Sequence, residues 1–252
     1  MYKEFSTAFS SHIEAWSFIR KNNLYGWFLL PVLFNIALFI LGYYAAVGGA
    51  EKILSFFGDQ LLKIDDGGVI ESVFFVIVFI LIRILIFIAF SFVGGYLIVF
   101  LSAPVLALLS RIVLKKSGAP VKRGSSVIEA VYRSMVLTVK HLFLQIIILI
   151  LSLFSSFLPV AGFAVPIVLL IISARMFGEG FIDLSLAHSG VSFKASRRIA
   201  SKTNPALIGL GTPITCLLAI PFLGQLMAGF AAVLSTVAAA RLKASGEIYS
   251  AS

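Results

Sequence analysis

Long apolar blocks alternate with short polar ones along the chain. Residues 27 to 47 form an unbroken apolar run, and a second run extends from residue 73 to residue 109. As a helix rising 1.5 Å per residue, the first run is about 31 Å long, enough to cross a hydrocarbon core of about 30 Å. The pattern predicts two long membrane helices, the second kinked near the Gly94–Gly95 pair or Pro104.

Two later apolar segments each contain a break that carries Pro and Gly. Residues 141 to 177 are interrupted by LPVAG, and residues 205 to 242 by IPFLG. Each segment predicts a helical hairpin, with cations at both ends that keep those ends on one side of the membrane. The arms of the first hairpin, about 27 Å long, are marginal for a span. Full crossing and partial insertion both remain open, and partial insertion requires an oligomer or a lined cavity to cover the backbone.

The N-terminal segment has a helical period. Apolar residues recur every three or four positions between residues 4 and 20, with polar residues between them: Phe5, Phe9, Ile13, Trp16 and Ile19. We expect an amphipathic helix and a turn over residues 1 to 26, either lying in the membrane interface or packed against the rest of the protein. Residues 1 to 252 are thus predicted to form a single all-α membrane domain.

Composition and charge agree with a membrane protein and fix an orientation. The chain is 60% hydrophobic and 12% charged, against about 25% charged in soluble domains. Its net charge of +9 comes from cations between apolar segments, so we expect membrane lipids as partners and no nucleic acid. Lys and Arg are concentrated in residues 111 to 140 and sparse in residues 48 to 72. The positive-inside rule therefore places the 111 to 140 loop and both termini in the cytoplasm.

The sequence contains no pattern typical of an enzyme. The chain has a single cysteine, its three histidines are far apart, and the glycine-rich GLGTP at 209 to 213 lacks the spacing of a nucleotide-binding loop. We therefore expect no catalytic residue, no metal site and no cofactor.

Arg83 stands alone inside the second apolar run. An intramembrane Arg is either an anion-attracting group on a transport pathway or a residue that snorkels or pairs with a neighbour.

Glu179 and Asp183 lie one helical turn apart. Paired carboxylates can relay protons, but salt bridges fit better, because four cations lie near them in the sequence: Arg175, Lys194, Arg197 and Arg198.

The segment before the first span is the main candidate for binding. Arg20, Lys21, Asn22 and Asn23 precede the start of a helix, and Gly26 lies at its edge. Helix N-termini attract anions through unsatisfied N–H groups and the helix dipole, so these residues predict an oxyanion site. The alternative is an orientation signal that anchors lipid phosphates.

Several short motifs resemble the CysZ family of bacterial sulfate permeases and the related etoposide-induced membrane proteins. They are LLPVLFN at 29 to 35, SAP within 100 to 110, the LP turn at 158 to 159, Asp183 followed by VSFKASRR at 191 to 198, and AIPFLGQ at 219 to 225. The resemblance implies an inner-membrane homo-oligomer with two crossing helices and two partly inserted hairpins. It also implies sulfate uptake that feeds cysteine synthesis.

The resemblance departs at the family's anion site. The Gly-x-Arg-Arg segment of the family aligns with residues 23 to 26, where neither arginine is matched. We therefore predict that Arg20 and Lys21 are the nearest replacement. Permeation of sulfate or a related small oxyanion is the first hypothesis. A non-transporting scaffold or assembly factor that kept the fold is the alternative.

Overall fold

The computed structural model describes residues 2–61, 69–122, 126–155, 159–220 and 223–246, and these are helical with short connections. In chain order the helices are α1 (Tyr2–Lys21), α2 (Leu29–Leu61), α3 (Val69–Lys116), α4 (Val127–Ser155), α5 (Pro159–His188), α6 (Phe193–Lys202), α7 (Asn204–Leu218) and α8 (Leu223–Ser245). A short 3-10 helix, Tyr25–Phe28, precedes α2. The prediction of an all-α membrane protein with two long helices and two hairpins is confirmed.

Four stretches in the described part of the chain are long and apolar enough to cross a membrane. They are Tyr25–Gly49, Val93–Lys116, Val127–Ile148 and Leu226–Ser245. The helices that contain them extend past the apolar runs: α3 has 48 residues, about 72 Å at the helical rise. The hydrogen bonds of a helix join backbone groups and do not depend on whether the side chains are polar. Polar residues after an apolar run therefore need not end the helix.

Two connections are shorter than the sequence indicates. α4 begins at Val127, so its first four turns occupy part of the expected 111 to 140 loop, and the connection itself is limited to residues 117–126. α2 likewise continues through the polar segment to Leu61 before α3 begins at Val69. The central residues of both hairpin tips, 156–158 and 221–222, lie outside the described residues.

Helix α8 forms the centre of the packing. It contacts α1, α2, α3, α5 and α7, and a run of small residues, Ala238 to Ala240, is fully buried. Small side chains allow helix backbones to approach closely, which is the usual basis of packing between membrane helices.

Glycines play the same part between α5 and α7. A Cβ added to Gly211 would lie 1.8 Å from the carbonyl oxygen of Ala174, and one added to Gly178 would lie 2.0 Å from that of Leu207. These contacts are with backbone atoms, which cannot move away as a flexible side chain could. Gly211 therefore permits the close approach of two helices.

Helix α1 has one face that is buried and one that is exposed. It packs against α7 and α8 through Ala8, Ala15, Phe18, Ile19 and polar residues between them. The larger apolar residues of the predicted stripe, Phe9, Ile13 and Trp16, remain exposed. One face of α1 thus packs against the protein, as one interpretation predicts. The other face presents an apolar surface, and a position in the membrane interface stays a prediction.

Candidate functional site

The predicted anion-binding residues lie in the turn between α1 and α2. Arg20 and Lys21 form the last turn of α1, and both are exposed. The turn closes with hydrogen bonds from Leu24 N to Ile19 O, at 3.1 Å, and from Asn23 N to Arg20 O, at 3.3 Å. This pairing is a Schellman motif, which requires a left-handed residue after the helix. Asn23 supplies it with a φ of 53°.

The remaining members of this turn differ in their exposure and contacts. The side-chain amide of Asn22 donates a 3.0 Å hydrogen bond to Phe18 O and so caps the end of α1. Gly26 lies in the 3-10 helix, is exposed, and has nothing within 4 Å of a Cβ placed on it. The cations therefore sit at the C-terminal, electronegative end of α1, and the 3-10 helix separates them from the start of α2 at Leu29.

Arg83 belongs to α3, but its side chain lies outside the described residues.

A buried ion pair joins α4 to α5. Arg133 donates to both carboxylate oxygens of Asp183, with Nη2–Oδ1 at 2.6 Å and Nε–Oδ2 at 3.2 Å. Its Nη1 donates to Val191 O at 2.6 Å, and the guanidinium lies 5.4 Å from the ring centre of Phe193. Ser196 of α6 donates to Asp183 Oδ1 as well. A single carboxylate thus ties together α4, α5 and α6.

One turn earlier on α5, Glu179 is surrounded by basic side chains. Its carboxylate oxygens lie 3.2 Å from Arg175 Nη1, 3.5 Å from His141 Nε2 and 4.0 Å from Arg197 Nε. Arg175 also donates to Asn204 Oδ1 at 2.7 Å, which links the cluster to α7. Burial alone would raise the pKa of Glu179, but the hydrogen bond from His141 and the charges of Arg175 and Arg197 lower it overall.

A third polar contact continues this line between α4 and α5. Gln145 Oε1 accepts hydrogen bonds from Ser173 Oγ at 2.8 Å and from Tyr96 Oη at 3.3 Å. Gln145 lies one turn beyond His141 on α4, and Ser173 precedes Glu179 on α5. We call the contacts of Arg133, His141 and Gln145 with α5 the polar seam. It covers 13 residues of α4, from Arg133 to Gln145, about 18 Å along the helix axis.

The polar seam is stabilised by donors and acceptors that satisfy one another. The two carboxylates accept bonds from cations, so their geometry favours structural salt bridges over a proton relay. The sequence predicted Arg175 and Arg197 as partners of this pair, and both contact Glu179. It did not predict Arg133 or His141.

His188 lies fully buried where α5 ends. Its Nε2 is 2.8 Å from Ala107 O, so this nitrogen carries the proton that the carbonyl accepts. Burial lowers the pKa of His188, and the charges of Arg111 and Arg133 lower it further. The neutral form of His188 is therefore favoured, and its hydrogen bond to Ala107 O links α5 to α3.

Comparison with known protein families shows to which family the chain belongs. Residues 11–228 match the model of a family described as sulfate transporter CysZ/etoposide-induced protein 2.4. The chain belongs to this family. The matched region contains the turn with Arg20 and Lys21 as well as all members of the polar seam. A comparison with curated proteins found no match.

The family assignment agrees with the helices and with the polar seam. Membership in the CysZ/etoposide-induced protein family accounts for an all-α, multi-pass membrane protein, which the four apolar spans also support. Asp183 and the VSFKASRR segment, part of the motif set that resembles this family, meet in space through the hydrogen bond from Ser196. This motif therefore has a structural explanation, because its members build the junction of α4, α5 and α6.

Proposed function

We propose that the protein is an inner-membrane permease for sulfate or a related small oxyanion. The observation that carries this proposal is the match of residues 11–228 to a family described as sulfate transporter CysZ/etoposide-induced protein 2.4. The proposal has no enzymatic step, and it requires only that the anion be attracted, desolvated in part and released on the other side.

Arg20 and Lys21 are the proposed attracting groups. Both are exposed, and neither has a carboxylate oxygen within 4.0 Å among the residues that the structure describes. Asn23 and Gly26 belong to the same turn, and both residues are exposed. Asn22 shapes the turn through its hydrogen bond to Phe18 O. Arg83 is proposed as a second group, deeper in the membrane, that lowers the barrier to an anion.

The test is uptake of labelled sulfate into proteoliposomes. We expect the wild-type protein to exceed empty vesicles, and the Arg20→Ala/Lys21→Ala variant to lose most of that uptake. The matched control is Lys115→Ala/Lys116→Ala, because these lysines form an exposed pair in the last turn of α3 just as Arg20 and Lys21 do in α1. Uptake equal to that of empty vesicles for the wild type contradicts a permease for this anion. Equal losses in both variants contradict the site.

A non-transporting scaffold or assembly factor is the second candidate. The two arginines of the family's Gly-x-Arg-Arg segment have no counterpart among residues 23 to 26, which favours a chain that kept the fold and lost the anion site. Measuring binding separates the two proposals. Sulfate should raise the melting temperature of the purified wild type and leave the Arg20→Ala/Lys21→Ala variant unchanged if the protein is a permease. A scaffold should show no shift in either.

The proposed setting is the bacterial inner membrane, with both termini and the connection between α3 and α4 in the cytoplasm. Arg133 is neutralised by Asp183, yet the other cations of residues 111 to 140 still outnumber the two lysines of residues 48 to 72. Single cysteines at Ser117 and Ser72, introduced after Cys216→Ser, should label from opposite sides of the membrane. Labelling of position 117 from the periplasm and of position 72 from the cytoplasm would reverse the proposed orientation.

A homo-oligomer is part of the proposal. On α4 the apolar side chains of Phe143, Ile147 and Leu151 are each more than half exposed, so this face is available to lipid or to a second copy. Native mass spectrometry of the detergent-solubilised protein should give a mass of two or more times 27.3 kDa. A species of 27.3 kDa at all concentrations would contradict the proposal.

A further inference from the structure

The outer face of α6 carries three cations, each one helical turn from the next. Lys194, Arg198 and Lys202 are spaced by four residues, which places them on the same side of the helix. All three are exposed, whereas Ser196 and Ala200 on the opposite side are buried. Within the described ranges, no carboxylate oxygen lies within 4.0 Å of any of the three.

This arrangement works against the helix that carries it. Like charges four residues apart repel each other and destabilise an isolated helix. Lys194 also lies in the first turn of α6, where the helix dipole disfavours a cation and where no acidic residue is present. The electrostatics of α6 would therefore improve if negative charge from outside the chain faced its outer side.

The two carboxylates of α5 that contact α6 already pair with other basic side chains. Glu179 faces Arg175, Arg197 and His141, and Asp183 faces Arg133. The outer cations of α6 therefore gain no compensation from the polar seam, although α6 is attached to it through Ser196 and Arg197.

The position of α6 indicates what kind of anion it meets. The helix connects α5 to α7, two predominantly apolar helices, and only Thr203 separates it from α7. Because α6 is mostly polar and α7 is apolar, α6 is suited to the lipid headgroup region if α7 enters the membrane. Headgroup phosphates supply negative charges in that region, and they can gather along a row of three cations 12 Å long at 1.5 Å per residue.

We propose that Lys194, Arg198 and Lys202 form a docking surface for the phosphate headgroups of anionic lipids. Each juxtamembrane cation contributes roughly a fivefold increase in affinity for an anionic membrane surface. The proposal is independent of what the protein transports, because none of the three residues belongs to the proposed anion site at Arg20 and Lys21.

The test compares lipid binding by the intact protein and by Lys194→Gln/Arg198→Gln/Lys202→Gln. Both are purified in neutral detergent and titrated with phosphatidylglycerol or phosphatidylcholine, and bound lipids are counted by native mass spectrometry. We expect the wild type to retain phosphatidylglycerol preferentially and the variant to bind it at least about tenfold more weakly. Equal phosphatidylglycerol binding by the two proteins would overturn the proposal.

Two further variants separate a specific surface from total charge and from misfolding. Lys115→Gln/Lys116→Gln/Lys140→Gln removes the same number of exposed positive charges elsewhere and should weaken phosphatidylglycerol binding by less than the α6 variant does. An equal loss in this control would show a general charge effect and overturn the proposal. The charge-preserving Lys194→Arg/Arg198→Lys/Lys202→Arg variant should keep the preference. Displacement of phosphatidylglycerol by an equal concentration of inorganic phosphate would indicate a free-ion site and would also overturn it.

Discussion

Arg133 and Asp183 form a bidentate ion pair from which water is nearly excluded. Two hydrogen bonds of 2.6 and 3.2 Å connect the groups, and their side chains are 4% and 2% exposed. Removing one partner of such a pair leaves the other charge buried without compensation, which typically costs about 3–5 kcal/mol. The pair therefore makes the junction of α4, α5 and α6 sensitive to single substitutions.

Arg133→Met should destabilise the protein by about 3–5 kcal/mol, because it strands the Asp183 carboxylate in a buried site. The measurement is the melting temperature of the purified protein in detergent. The double variant Arg133→Met/Asp183→Asn removes both charges and should recover part of the loss. Glu129→Gln is the matched control, since Glu129 lies 4.0 Å from Arg133 but is 61% exposed. A wild-type melting temperature for Arg133→Met would contradict a stabilising role of this pair.

Glu179→Gln should weaken the attachment of α4 and α7 to α5 at neutral pH. The carboxylate holds His141 and Arg175, and its removal should cost about 1–3 kcal/mol. Since the pKa of Glu179 is lowered in the folded state, its contribution is present above its ordinary value of 4.5 and is lost as the pH falls below that value. The difference in melting temperature between wild type and variant should therefore shrink below pH 4.5. A constant difference across this range would contradict the assignment.

Gly211→Ala should separate α5 from α7. Alanine favours a helix over glycine by about 1 kcal/mol, but the new methyl group would meet the Ala174 carbonyl oxygen, and overpacking of this kind costs about 1–3 kcal/mol. We expect a lower melting temperature. Gly180→Ala is the control on α5, because nothing lies within 4 Å of its added Cβ. It should leave the melting temperature unchanged or raise it, and equal effects at both positions would rule out the steric explanation.

His12 should make the packing of α1 sensitive to mild acid. Its Nδ1 lies 3.0 Å from Phe9 O and therefore donates, which leaves Nε2 to accept a 3.1 Å hydrogen bond from Ser235 Oγ. Burial lowers the pKa of His12, so the unfolded state takes up a proton first, and stability falls as the pH drops below the ordinary value of 6.5. Melting temperatures between about pH 7 and 5 should show this decline.

The control for this decline is His12→Gln. It should flatten the pH dependence but not abolish it, since the lowered pKa of His188 has the same sign. Identical pH profiles for wild type and variant would contradict the assignment to His12.

The distribution of apolar residues along the chain predicted much of the fold. The apolar runs locate α2, α3 and the two hairpins, because a membrane requires long stretches of apolar residues whatever their neighbours are. It failed at helix ends: α4 begins at Val127, within a segment whose cations indicated a loop. The charges of that segment are accommodated on a helix because Arg133 turns inward to Asp183. Charge patterns predict the side of the membrane but not where the helix begins.

The sequence by itself determined the class of protein, its family motifs and the positions of its charged residues along the chain, since hydrophobicity, short motifs and the charge of a side chain are properties of local sequence. Only the tertiary structure decided which charges are paired. Arg133 and Asp183 lie 50 residues apart in the chain, and His12 and Ser235 lie 223 apart. Such partners are chosen by how helices pack, and that depends on close approaches such as the one at Gly211, where the shape of a neighbouring backbone matters more than local sequence.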